Sequence, residues 1–257
     1  MKNIVIITGA SSGMGMEFAK QLDKKLRKID EFWLVARRKE RLEKLDFLLH
    51  HKCRIFDVDL MNKEEVKRIE DALNGETQYC IRMLVNCAGF GLVGQFKDLE
   101  KEEQLEMIDL NCKALTEMTY ICVPHMDRKS RIIQLASVAA FLPQKSFAIY
   151  AASKSYVLSF SRALNEELRD LDITVTAVCP GPVDTEFFDV AEKNGTTMEI
   201  KKLVMVEADR VVSDAIFASQ MKWSISLCSI PMVLFLGLTK FLPHSLVLKA
   251  CNLFYKE

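Results

Sequence analysis

The sequence predicts an α/β fold in which a doubly wound parallel sheet of about seven strands carries helices on both faces. Three observations lead to it: short runs rich in β-branched residues, longer segments with apolar residues three and four positions apart, and regular alternation of the two kinds along the chain. Such alternation is typical of parallel strands joined by right-handed helical crossovers. Ligands of these sheets bind at the carboxyl ends of the strands, so functional residues are sought there.

Each predicted strand is followed by a segment with helical spacing. After the second strand, for example, Leu42, Leu45 and Leu49 recur on one face while charged residues occupy the other. The last predicted strand begins the one weakly charged part of the chain. The predicted strands comprise residues 4–8, 31–36, 53–57, 81–85, 131–135, 173–178 and 223–229.

The composition indicates a globular protein without a strongly charged target. Lys plus Arg and Asp plus Glu each number 35 among 257 residues, and no long run of one charge occurs. This balance argues against nucleic-acid binding. Without repeats, low-complexity tracts or a Pro/Gly/Ser-rich linker, the chain is expected to form one domain over residues 1–257.

The cysteines and histidines predict neither a disulfide framework nor a metal centre. Eight cysteines include no Cys-x-x-Cys pair, and the four histidines lack metal-ligand spacing. Most cysteines stand among apolar neighbours, which indicates reduced thiols and a cytoplasmic location. The apolar run near the N-terminus ends after four residues and is too short for the core of a signal peptide.

A glycine-rich turn follows the first predicted strand. Gly9, Gly13 and Gly15 are spaced i, i+4 and i+6 and lead into an amphipathic helix. Glycines allow tight backbone angles there and let a pyrophosphate approach the amide N–H groups at the positive helix end. The turn therefore predicts a dinucleotide site, the alternative being a glycine-rich turn without a ligand.

Four further residues suggest acid/base chemistry. Tyr150 and Lys154 stand four residues apart near the start of a helical pattern and share one face. An adjacent ammonium favours a phenolate, so we expect Lys154 to lower the pKa of Tyr150, although a structural pair is the alternative. Ser137 follows the strand at 131–135, and Asn111 is an unfavourable residue inside a helical stretch.

Taken together, these motifs resemble the short-chain dehydrogenase/reductase family, whose sheet is Rossmann-like. The resemblance runs from about residue 4 to residue 185 and includes Asn86-Cys87-Ala88-Gly89 after the fourth strand and Pro180-Gly181 followed by Thr185. Met14, Cys87 and Ala136 depart from the usual pattern without removing a functional group. We expect residues 1–185 to form the cofactor-binding and catalytic core, 186–222 a variable substrate loop, and 223–257 a last strand and an apolar tail.

The resemblance implies roles for the four residues. Tyr150 would donate a proton in reduction and accept one in oxidation, while Ser137 hydrogen-bonds the substrate oxygen. Lys154 would also bind the nicotinamide ribose, and Asn111 would position a water. Expected cofactor contacts are Gly9, Ser11, Ser12, Gly13, Met14, Gly15, Arg37, Arg38, Asp59, Leu60, Asn86, Ala88, Gly89, Tyr150, Lys154, Pro180, Gly181, Val183 and Thr185.

The end of the second strand predicts the choice of cofactor. Relatives that use NAD usually carry an acidic residue at the position of Ala36, whereas Arg37 is placed to pair with a 2′-phosphate. NADP(H) is therefore expected rather than NAD(H), with Arg37 as the main discriminator. The alternative is that Arg37 and Arg38 begin the solvated face of the next helix.

An apolar pocket is expected beside the catalytic residues. It would be built from Phe141, Leu142, Phe147 and residues 185–203, with Phe187 and Phe188 at its entrance, and would take a hydrophobic ketone or alcohol such as a steroid, bile acid, acyl chain or sphingoid-like ketone. A homodimer or homotetramer is implied by the resemblance. The rival classes are a non-catalytic nucleotide sensor and an interaction or membrane-surface protein whose apolar tail dominates its role.

The segment from Pro231 onward is predicted to be helical and to pack internally or against a second subunit. The uncharged span between Lys222 and Lys240 is marginal for crossing a bilayer. Contact with a membrane surface is the less favoured alternative.

Overall fold

One parallel sheet of seven strands forms the centre of the protein. The computed structural model describes residues 1–192 and 205–228 and the isolated positions 233, 236, 237 and 239. The strand order is β3-β2-β1-β4-β5-β6-β7, and all six neighbouring pairs are parallel. This confirms the predicted fold class. The strands are β1 Lys2–Thr8, β2 Glu31–Ala36, β3 Cys53–Asp57, β4 Tyr79–Asn86, β5 Arg131–Leu135, β6 Thr174–Val178 and β7 Ile225–Ser226.

Helices follow the strands on both faces of the sheet. A π-helical turn, Asp109–Ala114, joins α4 to α5, and 3₁₀ turns occur at Val123–His125 and Val138–Phe141. The α-helices are α1 Gly13–Lys25, α2 Lys39–Leu48, α3 Lys63–Leu73, α4 Lys101–Ile108, α5 Leu115–Cys122, α6 Ala148–Glu167, α7 Phe187–Ala191 and α8 Ala208–Gln220.

The pleat of each strand divides the core between the two faces. In β1, Val5 and Ile7 pack with residues of α1, α2 and α8, whereas Ile4 and Ile6 pack with residues of α3 and α5 on the opposite face. Because both faces are covered, all four side chains are fully buried. This burial explains why the strands read as continuous apolar runs.

The last strand is shorter than predicted. Only Ile225–Ser226 pairs with β6, at the edge of the sheet. Trp223 is instead part of the turn after α8, because its N–H donates to the Ala218 carbonyl at 2.9 Å and its side chain is half-exposed. Position 229 lies outside the described residues.

The predicted C-terminal helix lies mostly outside the described residues. The four described positions beyond 228 have helical backbone. Within the part of the chain that is described, no helix combines the length and the apolar character needed to span a bilayer.

The sheet changes winding direction at β1, and this change positions the site. β1 pairs with β2 on one side and with β4 on the other, so the crossovers on its two sides run in opposite directions. A crevice opens at the carboxyl ends of such strands, which is where ligands of doubly wound sheets bind.

Candidate active site

The glycine-rich turn lies at this crevice, and two of its glycines have positive φ. Gly9 has φ +68° and Gly13 has φ +50°, a region that side-chain-bearing residues rarely adopt. A Cβ on Gly9 would lie 2.8 Å from the Ala88 nitrogen, and one on Gly15 would collide with the Gly9 carbonyl. Glycine is thus required by the turn itself, and α1 begins at Gly13 with its free N–H groups facing the crevice.

The other predicted cofactor residues line the same edge of the sheet, after β2, β3, β4 and β6. Thr8 ties two of these loops together, since its hydroxyl accepts hydrogen bonds from the N–H groups of Cys87 and Ala88 at 3.1 and 3.2 Å. Asn86 is turned inward, and its amide donates to Thr119 and Gln134, both at 3.0 Å. Its side chain therefore supports the strand ends from behind the crevice.

Three of the four catalytic candidates meet beside this crevice. Ser137 begins the 3₁₀ turn after β5, and its hydroxyl is hydrogen-bonded to the phenol of Tyr150 in the first turn of α6. One turn later, Lys154 Nζ donates to the Leu135 carbonyl at 2.7 Å and lies 5.6 Å from the centre of the Tyr150 ring. The spacing of four residues thus places both side chains on one face of α6.

Asn111 is fully buried and fixes the loop that borders Lys154. Its side-chain oxygen accepts from Phe90 N–H at 3.0 Å, and its amide donates to the Phe90 carbonyl at 2.8 Å and to Ser153 at 3.1 Å. Gly89 fits between Asn111 and Lys154, because a Cβ there would lie 2.7 Å from the Asn111 oxygen and 3.5 Å from Lys154 Nζ. Asn111 stands in the π-helical turn, a feature common at functional sites.

Burial controls the electrostatics of the catalytic pair. It raises the pKa of Tyr150 to about 12, although the hydrogen bond from Ser137 acts in the opposite direction. Burial also lowers the pKa of Lys154 to about 8. The expectation that the ammonium would bring the pKa of the phenol down was wrong for this structure, because desolvation of the phenolate outweighs the other influences.

The arginines after β2 point in different directions. Arg38 donates to the Ser11 hydroxyl at 3.2 Å and to the Ser12 hydroxyl at 2.6 Å, so it lies against the glycine-rich turn. The Arg37 side chain is two-thirds exposed, and its guanidinium is 3.8 Å from the carboxylate of Asp59 after β3. Of the two, Arg38 is the one held beside the turn.

The loop after β6 closes the other side of the crevice. Pro180 accepts a hydrogen bond from the N–H of Val138 at 3.0 Å, and Val183 forms a parallel bridge with Val206. The Thr185 side chain faces Gly13, where a Cβ would be only 3.3 Å from it. The predicted nicotinamide-side residues thus reach back to the glycine-rich turn.

Aromatic side chains cover the catalytic tyrosine. Phe147 stacks on Tyr150 with ring centres 4.2 Å apart, and Phe187 lies 5.5 Å from the same ring. Phe188 contacts Phe187 at 5.4 Å. Gly91 packs against these rings without a side chain. A Cβ at this position would lie only 2.8 to 2.9 Å from the rings of Tyr150, Phe147 and Phe187. Residues 193–203 of the predicted pocket lie outside the described residues.

Sequence reasoning missed a pair of ionic contacts beside the glycine-rich turn. Glu186 binds Arg38 at 3.0 Å and Arg41 at 2.5 Å, across separations of 148 and 145 residues. The spacing of Arg38 and Arg41 on one helical face was visible, but nothing near Glu186 indicated its partners. Among the described residues, no group of three or more His, Cys, Asp or Glu side chains is arranged to hold a metal ion.

Comparison with known proteins identifies the family. The model of the short chain dehydrogenase family matches residues 3–195. An uncharacterized oxidoreductase of Staphylococcus epidermidis is 31% identical over 84% of this chain and 90% of its own length, and sulfoacetaldehyde reductase 2 of Chromohalobacter salexigens is 32% identical over 84% and 81%.

Solved structures agree with this match. A short-chain dehydrogenase from Sphingobium yanoikuyae in complex with NADPH is 26% identical, covers 94% of this chain and 96% of its own, and has a TM-score of 0.77. A serine dehydrogenase complexed with NADP⁺ is 29% identical, covers 84% and 88%, and has a TM-score of 0.74. The sequence match, the fold and the grouped Ser137, Tyr150 and Lys154 together show that this chain belongs to the short-chain dehydrogenase family.

Proposed function

We propose that this protein is an NADP(H)-dependent oxidoreductase that reduces a hydrophobic ketone to a secondary alcohol. Membership in the family establishes an NAD(P)-dependent enzyme that acts on alcohols or carbonyls. The observation that carries the finer proposal is the buried Ser137–Tyr150 hydrogen bond, with Lys154 on the same helical face and aromatic rings covering the phenol.

The pKa of Tyr150 leaves the phenol in the protonated form that the reductive direction requires. With a pKa of about 12, the phenol holds its proton at neutral pH and can act as a general acid. The Ser137 hydroxyl, already directed at the phenol, would donate to the same substrate oxygen as negative charge develops on it. The bound nicotinamide cofactor supplies the hydride.

Lys154 supports the proton transfer. With a pKa of about 8, it is mostly protonated at neutral pH, and it lies close enough to the Tyr150 ring to stabilise the phenolate that remains after the proton leaves. The Leu135 carbonyl holds the ammonium in place. The side chain of Asn111 is engaged with Phe90 and Ser153, so its support for the site comes through the loop that borders Lys154.

The residues at the crevice fit a dinucleotide. The glycine-rich turn leaves no Cβ in the way at Gly9, Gly13 or Gly15, and α1 presents free N–H groups to a pyrophosphate. Beside the turn, Arg38 supplies a guanidinium suited to a 2′-phosphate, with Arg37 further out. The NADP(H) preference draws support from the two solved relatives that carry NADPH or NADP⁺, whereas a Burkholderia phymatum protein of the same fold is in complex with NAD.

The assembly and location remain proposals drawn from the sequence. A homodimer or homotetramer is supported by half-exposed or exposed apolar side chains on α4, α5 and α6, including Leu105, Tyr120 and Tyr156. A single domain over residues 1–257 is supported by the one sheet on which the described helices pack. The cytoplasmic location rests on the cysteine pattern.

A substrate panel tests the proposed function. Purified protein would be mixed with NADPH or NADH and with steroid, bile-acid, acyl and sphingoid-like ketones, and oxidation of the cofactor would be followed by absorbance. Sulfoacetaldehyde belongs in the panel because one relative is named for its reduction. We expect turnover of at least one apolar ketone with NADPH that is lost in Tyr150→Phe. Turnover with NADH alone, or only of sulfoacetaldehyde, would contradict the proposal.

A further inference from the structure

The carboxylate of Glu186 holds two arginines at the rim of the crevice. One oxygen lies 3.0 Å from Arg38 Nη1 and the other 2.5 Å from Arg41 Nη1. The two guanidinium groups hold the pKa of Glu186 below its usual range, so it is ionised at neutral pH. The single negative charge of Glu186 therefore offsets part of the positive charge of Arg38 and Arg41.

The position of Arg38 makes this contact relevant to the cofactor. Its other nitrogens donate to the hydroxyls of Ser11 and Ser12, so the guanidinium lies between the turn and Glu186. In doubly wound sheets, the end of the second strand is where the adenosine ribose binds, and an arginine there accommodates a 2′-phosphate. Glu186 thus occupies Nη1 of Arg38, a donor that such a phosphate could use.

We propose that Glu186 is an internal competitor for the 2′-phosphate of NADP(H), a proposal that rests on the NADP(H) preference argued above. Carboxylate and phosphate bind the same planar donors of a guanidinium, so a phosphate that engages Nη1 of Arg38 and of Arg41 displaces Glu186 from them. Glu186 immediately precedes α7, whose first residue, Phe187, lies over Tyr150. Displacement therefore acts on the same segment that covers the catalytic phenol.

Two nucleotide fragments separate this effect from the rest of the cofactor. Adenosine 2′,5′-bisphosphate carries the 2′-phosphate and adenosine 5′-monophosphate lacks it, and neither contains nicotinamide. Their affinities would be measured by calorimetry for the full chain, for Glu186→Gln and for Asp189→Asn. The last is a matched control, because it removes one negative charge from an exposed position of α7.

Glu186→Gln should bind the bisphosphate at least about threefold more tightly than the parent, since it no longer breaks partly exposed ion pairs on binding. Its affinity for the monophosphate should not change, and Asp189→Asn should resemble the parent for both fragments. A Glu186→Gln affinity for the bisphosphate equal to or weaker than that of the parent would overturn the competition. Equal binding of both fragments by the parent would instead count against the proposed NADP(H) preference.

Hydrogen exchange gives a second readout. Binding of the bisphosphate to the parent should speed amide exchange across Phe187–Ala191, because the contact that anchors the start of α7 is lost. The monophosphate should leave this exchange unchanged, and Glu186→Gln should exchange fast without any ligand. Increased protection of α7 by the bisphosphate would show that Glu186 and the phosphate bind together, and would refute the proposal.

Discussion

The buried ammonium of Lys154 should make a contribution to the stability of the cofactor-free protein that rises with pH. Burial lowers the pKa of this group to about 8 from an ordinary value of 10.5. The unfolded chain therefore binds the proton more tightly, so charged Lys154 costs stability at neutral pH, and the cost disappears as the pH rises from about 8 to about 10.5. With these two pKa values, the contribution of Lys154 to the free energy of unfolding should increase by about 2 kcal/mol from about pH 7 to about pH 9.5.

The assay compares the pH response of the parent with that of Lys154→Met. Methionine has a similar length and does not titrate, so urea unfolding of both proteins at the two pH values isolates the lysine. Burial raises the pKa of Tyr150, Cys87, Cys179 and Cys228 to about 12, so these groups stay neutral in both folded proteins across this range, and their contributions to the pH response cancel in the comparison. The parent should gain about 2 kcal/mol more than the variant.

An equal response of both proteins to pH would refute this reasoning. It would mean that the Lys154 ammonium is hydrated in solution and keeps an ordinary pKa, so that burial does not control the charge of the site. A larger gain in the free energy of unfolding for Lys154→Met than for the parent would mean that burial does not lower the pKa of Lys154. The comparison does not depend on the absolute effect of the substitution, which also removes the hydrogen bond to the Leu135 carbonyl.

Three further results are expected from substitutions at the crevice. Tyr150→Phe should lower turnover by roughly 10² to 10⁴ while NADPH affinity, measured by titration, stays within a few-fold, since only the proton donor is lost. Arg38→Ala should weaken NADPH binding about ten- to a hundredfold and spare NADH, and Arg37→Ala should do less, because its exposed side chain lies away from the turn. The reverse ranking would restore Arg37 as the main discriminator. Ala36→Asp should move preference toward NADH in the same titrations, through repulsion of the phosphate and new bonds to the ribose.

The strands could be predicted because burial on both faces leaves a strong apolar signal. β2, β3 and β5 have the predicted bounds, and β4 starts at Tyr79, two residues before its predicted start. The prediction was poorest for β7, where the apolar run at 223–229 resembled a full strand. An edge strand pairs on one side only, and Trp223 is held in the preceding turn instead.

The grouping of Ser137, Tyr150 and Lys154 could be predicted because their spacing carries geometric information. Four residues on one helix place Tyr150 and Lys154 together, and a residue just after a parallel strand reaches the same edge of the sheet, as Ser137 does. The Glu186 contact could not be predicted in this way, since more than a hundred residues separate it from Arg38 and Arg41. Such contacts depend on how the loop after β6 folds back, which local patterns do not specify.

The direction of the Tyr150 pKa shift was also invisible in the sequence, and it changes how the catalytic pair is understood. A neighbouring ammonium suggests an acidified phenol, but the structure surrounds that phenol with Phe147 and Phe187, and desolvation dominates. The same low-polarity surroundings strengthen the attraction between a phenolate and Lys154 once the proton has moved. Burial therefore keeps the proton on Tyr150 in the resting site, and the phenolate left after proton transfer depends on the nearby Lys154 ammonium to offset its desolvation. This protonated resting form is the one that the proposed reduction requires of a general acid.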